Sequence, residues 1–166
     1  MGVEFVPWRP AEAEALVELL LTEDWPFHAG TADRDALLAR VAAGFYAGPD
    51  ARTTWIVADG RRAGFVRLFD LGDDTPMFDL RLRAADRGRG LGTAAVRWLT
   101  GHLFAERPDT RRVEATTRSD NVAMRRVLER CGYVQEARYR EAWPVPGGPP
   151  LDALGYAVLR REWAAG

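Results

Sequence analysis

The spacing of apolar and polar residues predicts a chain of short strands and helices. Apolar residues at helical spacing predict helices over residues 11–21, 33–45, 93–104 and 122–131. Alternating patterns rich in β-branched and aromatic residues predict strands over residues 3–6, 53–58, 63–71, 78–83, 111–117, 133–143 and 151–163, the last with or without a broken end. The order begins strand, helix, helix and continues with three strands joined by short turns. This order indicates antiparallel sheet rather than repeated βαβ units.

A glycine-dense turn stands between the predicted strand at 78–83 and the helix that follows it. Its core, here called the glycine turn, reads Arg87-Gly88-Arg89-Gly90-Leu91-Gly92-Thr93. A strand–turn–helix of this kind directs several backbone N–H groups, and the positive end of a helix dipole, at one point. Since glycine has no Cβ, a ligand can approach the main chain closely. The expected ligand is a phosphate or a pyrophosphate.

Two common phosphate-binding patterns do not fit the glycine turn. The dinucleotide-binding fingerprint needs a third glycine where this chain has Thr93. A Walker loop needs a lysine, and the chain contains none. A third pattern, [RQ]-x-x-G-x-[GA], does fit residues 87–92.

Length and charge limit the class of protein. The chain has 166 residues, which suits one domain over residues 1–166 with a sizeable core. The formal net charge is −1, but residues 1–80 carry 7 arginines against 14 carboxylates, whereas residues 81–130 carry 12 arginines against 6 carboxylates. A basic middle suits an anionic ligand and an acidic first half suits a cationic substrate, although two differently solvated surfaces would give the same pattern. The arginines are not interleaved with aromatic residues, so we expect no nucleic-acid partner.

Location and metal chemistry can also be predicted from composition. No apolar run is long enough to span a bilayer, and the N-terminal residues lack the pattern of a signal peptide. The single cysteine, Cys131, fits a reducing compartment. We therefore expect a cytoplasmic protein with no membrane partner. No cluster of His, Cys and carboxylate residues has the spacing of a metal site.

Several segments resemble signatures of the GCN5-related N-acetyltransferase (GNAT) superfamily. The pattern in the glycine turn is that of the family's pyrophosphate loop. Residues 121–133 resemble the family's N-x-x-x-x-R-x-(L/Y)-E-(K/R)-x-G-(F/Y), residues 135–140 resemble the E-G-x-x-R stretch that follows it, and residues 156–163 resemble Y-x-(L/M)-x-(R/K)-x-(E/D)-W. These segments cover most of residues 76–163, and the branch they resemble most contains the ribosomal-protein alanine N-acetyltransferases. The first 75 residues match in element order only.

The resemblance implies a fold, a reaction and a set of contacts. The fold is α/β (α+β), a single acyl-CoA N-acyltransferase domain with a mixed, mostly antiparallel sheet of about seven strands, a splayed central wedge and about four helices. The reaction is direct transfer of an acetyl group from acetyl-CoA to an amine, with no protein nucleophile and no metal. Asn121 is expected to hydrogen-bond the pantetheine arm and to cap a helix as well. Contacts to acetyl-CoA are expected from Leu80, Arg81, Leu82, Arg87, Gly88, Arg89, Gly90, Leu91, Gly92, Thr93 and Asn121, with solvent as the other environment for the Arg89 side chain.

The reaction needs a base, because only a neutral amine is nucleophilic. The candidates are Asp79, Glu114 and His28, and a structural or solvated role is the competing interpretation for each. We favour Asp79, since burial of a carboxylate in the wedge would raise its pKa toward the useful range. Many relatives carry a tyrosine acid where this chain has Leu128, which cannot donate a proton. The general acid is therefore unassigned: it could be another residue or water, or the thiolate could leave unaided.

The acceptor and the alternatives stay open at this stage. A protein N-terminus predicts an open groove between the first helices and the final hairpin, and an aminoglycoside-type amine predicts a carboxylate-lined pocket. The acidic first half mildly favours a cationic small molecule. A non-catalytic acyl-CoA-binding module is the alternative from another class, and a Rossmann-type or kinase-like nucleotide binder is a distant third. A monomer and a homodimer are both compatible with the sequence.

Overall fold

The computed structural model describes residues 2–28 and 33–164. Its centre is one mixed sheet of seven strands in the order β1-β2-β3-β4-β5-β7-β6. All neighbouring strands are antiparallel except β4 and β5, which are parallel, so the predicted mixed sheet is confirmed. The strands are β1 (Val3–Pro7), β2 (Ala51–Ala58), β3 (Arg61–Phe69), β4 (Met77–Leu82), β5 (Arg112–Arg118), β6 (Val134–Trp143) and β7 (Leu151–Leu159).

Five α-helices lie in the described ranges, against about four expected. They are α1 (Ala13–Thr22), α2 (Arg34–Ala42), α3 (Leu91–Glu106), α4 (Val122–Arg130) and α5 (Arg160–Trp163), with single 3-10 turns at Pro10–Glu12 and Ala84–Asp86. None of these helices combines the length and the apolar character needed to cross a membrane.

Several element boundaries differ from the prediction, and two of them have a clear local cause. The extended segment predicted to reach residue 163 ends at Leu159 and is followed by α5, whose Glu162 side chain accepts the Leu159 N–H at 3.0 Å. That bond satisfies one of the N–H groups that a helix start leaves without a partner. The helix predicted to reach residue 45 ends at Ala42, and Gly44 follows with a φ of +77°. Glycine in this conformation commonly ends a helix.

Helices cover both faces of the sheet. Helices α3 and α4 pack on one face around a core that includes Phe78, Val96 and Leu128. Helix α1 packs on the other face, around Trp55 and Phe65. Because side chains alternate along a strand, neighbouring residues of β4 point to opposite layers. A ligand on either face of the sheet can therefore contact side chains of β4.

Strands β4 and β5 splay apart to form the predicted wedge. Strand β4 pairs with β3 from Met77 to Leu82, but only Met77 is in register with β5, opposite Glu114. The N–H of the next residue, Arg83, donates to Ala63 O on β3 at 2.8 Å. Backbone N–H groups alternate in direction along a strand. The main-chain groups of Leu80 and Leu82 therefore face the gap, while those of Arg81 face β3.

Strands β3 and β4 approach closely at Gly64, which the sequence pattern did not mark. A Cβ at this position would lie 2.0 Å from the Arg81 carbonyl oxygen, so only glycine fits. The end of β4 also lies beside the glycine turn, since side-chain atoms of Leu82 and Leu80 lie 3.8 and 3.9 Å from a Cβ built on Gly92.

Candidate active site

The glycine turn forms the N-terminal end of α3. Gly88 and Gly90 have φ values of +75° and +83°, where a side chain would be strained. A Cβ on either would meet no atom within 4 Å, so the space in front of the turn is open. Gly90 is the N-cap of α3 and supplies no side chain to it. The first N–H groups of the helix, on residues 91–93, therefore have no acceptor within it and suit an anion.

A buried carboxylate holds the glycine turn in place. Asp86 is fully buried and accepts from Arg61 Nη2 at 2.6 Å and from Arg89 Nη1 at 2.7 Å. Arg89 also donates to Asp59 Oδ2 at 2.9 Å. These partners compensate the desolvation of the carboxylate. Arg89 thus links the turn to the β2–β3 hairpin, and the cofactor contact expected from it stays a prediction.

Arg87 makes two hydrogen bonds to the protein, and the cofactor contact expected from it stays a prediction. Its Nε donates to Leu82 O at 3.1 Å, and its Nη2 donates to Asp24 O at 2.6 Å. The side chain thus joins the end of β4 to the segment after α1, although the residue still lines the cavity in front of the glycine turn.

Two adjoining cavities lie at the wedge, where β4 and β5 separate. The larger, of about 370 Å³, lies in front of the glycine turn and the free edge of β4. The smaller, of about 70 Å³, lies in the gap between β4 and β5 and is also lined by Asp79, Thr116 and Trp143. The residues that line both are Phe27, His28, Leu80, Asn121 and Met124.

A histidine, a carboxylate and a guanidinium meet beside the gap. His28 Nε2 lies 2.9 Å from Asp79 Oδ1, and Arg81 Nε donates to Asp79 Oδ2 at 3.1 Å. Burial raises the pKa of Asp79, but the hydrogen bond from His28 and the charge of Arg81 outweigh it and lower that pKa to about 2. The prediction that the wedge would raise the pKa of Asp79 is therefore wrong. An ionised carboxylate with so low a pKa is a weak base.

Asp79 instead sets the tautomer of His28. The carboxylate can only accept, so a neutral imidazole donates its Nε2–H to Asp79 and keeps the lone pair on Nδ1. His28 Nδ1 is buried and has no hydrogen-bond partner within residues 2–28 and 33–164. The residue lines both cavities and its side chain is 26% exposed, through ring atoms other than the buried Nδ1. The structure thus brings two of the three predicted base candidates together.

Glu114, the third candidate, is not brought to this site. It lies opposite Met77 at the closed end of the wedge and lines neither cavity. Its Oε1 lies 2.9 Å from Arg112 Nε. The strand assignment was confirmed, but the register of β5 against β4 moves this carboxylate away from the gap.

Helix α4 presents its N-terminus to the cavities. Asn121 Oδ1 accepts the Met124 N–H at 3.2 Å, so the expected cap of the helix is confirmed. The residue also lines both cavities, and its hydrogen bond to the pantetheine arm stays a prediction. Leu128 is fully buried in the core. Trp143, which ends β6 and lines the smaller cavity, was missed by sequence reasoning. Its only signal was an aromatic residue directly before a proline-rich turn.

Comparison with known proteins identifies the family. The family model described as the acetyltransferase (GNAT) domain matches residues 3–134. The chain belongs to the GNAT family. It is 27% identical over 166 residues to the putative ribosomal N-acetyltransferase YdaF of Bacillus subtilis (strain 168), covering 93% of this chain and 90% of that protein.

Solved GNAT structures share this fold. The spermidine N-acetyltransferase of Vibrio cholerae, in complex with CoA and spermine, superposes with a TM-score of 0.83 at 14% identity and covers 98% of both chains. The ribosomal L7/L12 alpha-N-protein acetyltransferase RimL, in complex with CoA, superposes with a TM-score of 0.81 at 19% identity and covers 95% of this chain and 93% of that one. The GNAT chain described here is an acyltransferase enzyme of the N-acetyltransferase type.

Proposed function

We propose that this GNAT enzyme transfers the acetyl group of acetyl-CoA to the α-amine of a protein N-terminus, with His28 as general base. The observation that carries the proposal is the His28–Asp79 pair, which lies at the gap between β4 and β5. The same histidine lines the larger cavity in front of the glycine turn. The cavity proposed for acetyl-CoA and the proposed base, His28, therefore both lie beside β4.

The larger cavity suits acetyl-CoA as the donor substrate. Main-chain N–H groups from Gly88 to Thr93 suit the pyrophosphate, because the turn leaves open space where side chains would otherwise stand. The edge of β4 at Leu80 and at the Leu82 N–H suits the pantetheine arm, beside Asn121, whereas Leu82 O already accepts from Arg87. A preorganised N–H on this edge would stabilise the oxyanion that forms at the thioester, which is typically worth about 3 kcal/mol.

His28 is the group best suited to take the proton from the amine. Nδ1 of the neutral imidazole carries the lone pair, and ionised Asp79 stabilises the imidazolium that forms. An α-amine with a pKa near 8 is about one-tenth neutral at pH 7, whereas a lysine-type amine with a pKa near 10.4 is almost fully protonated. A histidine base therefore matches an α-amine. Leu128 offers no proton to the departing thiolate, and a thiol pKa near 8.5 allows the thiolate to leave without a general acid.

The charges around the gap also favour a peptide amine over a polyamine or an aminoglycoside. Asp79 is the one carboxylate that lines either cavity in the described part of the chain. Its two oxygens are already engaged by His28 and Arg81. A carboxylate-lined pocket, the feature expected for a cationic small molecule, is not formed by the described residues. The relatives YdaF and RimL, whose names specify ribosomal proteins, support the same choice.

Removal of His28 tests the base. His28→Ala is expected to lower kcat with a peptide substrate about 100-fold, the usual contribution of a general base, while the Kd for acetyl-CoA changes less than about twofold. The matched control is His102→Ala, which removes the other histidine of the chain, stacked on Trp98 in α3. Thiol release measures kcat, and calorimetry measures Kd. Wild-type kcat in His28→Ala would refute the assignment.

An amine panel tests the acceptor and the non-catalytic alternative. Thiol release is compared for a peptide with a free N-terminus, the same peptide acetylated at its N-terminus but carrying a lysine, spermidine and an aminoglycoside. The free N-terminus is expected to react with the highest kcat/KM. Preferred reaction with spermidine or the aminoglycoside would refute the acceptor class. Binding of acetyl-CoA with no turnover of any amine would identify an acyl-CoA-binding module instead.

The cytoplasmic location and the oligomeric state were not tested by the fold. The first rests on the use of a single cysteine. The cytoplasmic location stays a prediction, and so does a possible homodimer.

A further inference from the structure

The segment that carries His28 is held by alternate side chains of β4. This segment, residues 23–28, follows α1 and lies along β4 and its continuation. Asp79, Arg81 and Arg83 are two residues apart, so they project from the same face. Each contacts a different residue of the segment: Asp79 contacts His28 at 2.9 Å, the guanidinium carbon of Arg81 lies 5.5 Å from the centroid of the Trp25 ring, and Arg83 contacts Glu23 at 2.8 Å.

Glu23 accepts two hydrogen bonds from residues that follow β4. Its Oε1 accepts from Arg83 Nη1 at 2.8 Å, and its Oε2 accepts the Ala84 N–H at 3.0 Å. Arg83 is itself fixed, because its Nε donates to Arg62 O at 3.0 Å. The Glu23 side chain is 17% exposed and lines neither cavity at the wedge. The chemistry proposed above does not use it.

The glycine turn makes another hydrogen bond to this segment, at Asp24, the residue after Glu23. Arg87 Nη2 donates to Asp24 O at 2.6 Å. Within the segment, the His28 N–H donates to Trp25 O at 3.0 Å, which forms a turn. The chain from Glu23 to His28 is therefore anchored at its start by residues that follow β4 and at its end by Asp79. A shift at the start would move the imidazole relative to the gap.

We infer that Glu23 is a positioning residue for acetyl transfer, which clamps residues 23–28 to Arg83 and Ala84 and so keeps His28 at the gap. The inference rests on the proposed role of His28 as the base. A base must be within hydrogen-bond reach of the proton that it takes, and small displacements of a catalytic group lower rates steeply. Glu23 affects the rate through the position of His28 and not through the binding of acetyl-CoA.

The test separates positioning from a general effect on folding. Glu23→Gln keeps the size of the side chain and removes its charge. We expect kcat with a free-N-terminus peptide to fall about tenfold, while the Kd for acetyl-CoA changes less than about twofold. The matched control is Asp74→Asn, which removes a carboxylate charge paired with Arg111 in the turn before β4. The control is expected to keep kcat within about twofold of wild type.

A double-mutant cycle with His28→Ala decides the mechanism. If Glu23 acts through His28, the Glu23→Gln change lowers kcat in the wild-type background and has no further effect in His28→Ala. Independent losses in the two backgrounds, an unchanged kcat, or an equal loss of acetyl-CoA affinity would each overturn the inference. Wild-type kcat in His28→Ala would instead overturn the proposed base, so the two failures are distinct. Glu23→Asp, which keeps the charge but shortens the reach, repeats the test if Glu23→Gln does not fold.

Discussion

A valine at Gly90 would separate ligand binding at the glycine turn from folding. Gly90 has a φ of +83° and nothing within 4 Å of a built Cβ. The backbone conformation alone should cost about 1–2 kcal/mol of stability with any L side chain. That corresponds to a fall in Tm of about 2–8 °C in a chain of this size. The fold should therefore survive the substitution.

The effect of Gly90→Val on acetyl-CoA should be far larger than its effect on stability. The valine side chain would occupy the space through which a diphosphate reaches the N–H groups of residues 91–93. Loss of two hydrogen bonds to a charged group, at about 1.5–3 kcal/mol each, gives about 3–6 kcal/mol. That loss raises Kd by about 10²–10⁴-fold.

Gly147 provides a matched control for the glycine turn. It has a φ of +72° and likewise nothing within 4 Å of a built Cβ, but it lies in the turn between β6 and β7. Gly147→Val should lose a similar amount of stability and keep the wild-type Kd for acetyl-CoA, measured by calorimetry and thermal unfolding. Wild-type Kd in Gly90→Val, or an equal loss in both variants, would refute the assignment of the pyrophosphate to this turn.

Two further predictions follow from the buried titratable groups. The pKa of Asp79 falls from 3.8 to about 2 on folding, so its ionised form stabilises the fold by about 2 kcal/mol above pH 4, and this contribution disappears as pH falls toward 2. The free energies of unfolding of wild type and Asp79→Asn are measured by urea titration between pH 3 and pH 7. The difference between the two should shrink as pH falls, and a difference that stays constant would contradict the ion pairing. Burial raises the pKa of Cys131, so iodoacetamide should label the folded protein much more slowly than the unfolded chain, and Cys131→Ala should keep its activity. An acetyl group found on Cys131 during turnover by mass spectrometry would contradict direct transfer.

The acidic bias of the first 80 residues does not describe the charges around the candidate site. Residues 1–80 carry an excess of carboxylates, which mildly favoured a cationic substrate. In the structure, several of these carboxylates already have hydrogen-bond partners. Glu23 accepts from Arg83, Asp59 accepts from Arg89, and Asp79 accepts from His28 and Arg81. Formal charge counts cannot reveal such pairing, because the partners come from elsewhere in the sequence.

Local patterns were sufficient for the elements and for the glycine turn. Whether a segment becomes a strand, a positive-φ turn or a helix start depends on residues next to one another in the chain, and Gly88 and Gly90 adopt the conformations that only glycine adopts easily. The order of elements and the motif around residues 121–133 therefore identified the fold from sequence alone. The same reasoning could place His28 in a loop, but not beside a particular carboxylate.

Tertiary packing decided the chemistry of the site. His28 and Asp79 are 51 positions apart, and Glu23 and Arg83 are 60 positions apart. Their meeting depends on how the segment after α1 docks on β4, and the register of β5 moves Glu114 away from the same gap. Packing also determined the sign of the pKa shift of Asp79, since burial and ion pairing act in opposite directions. The sequence identifies the groups that can titrate, but only their distances in the fold determine which of them carries the proton.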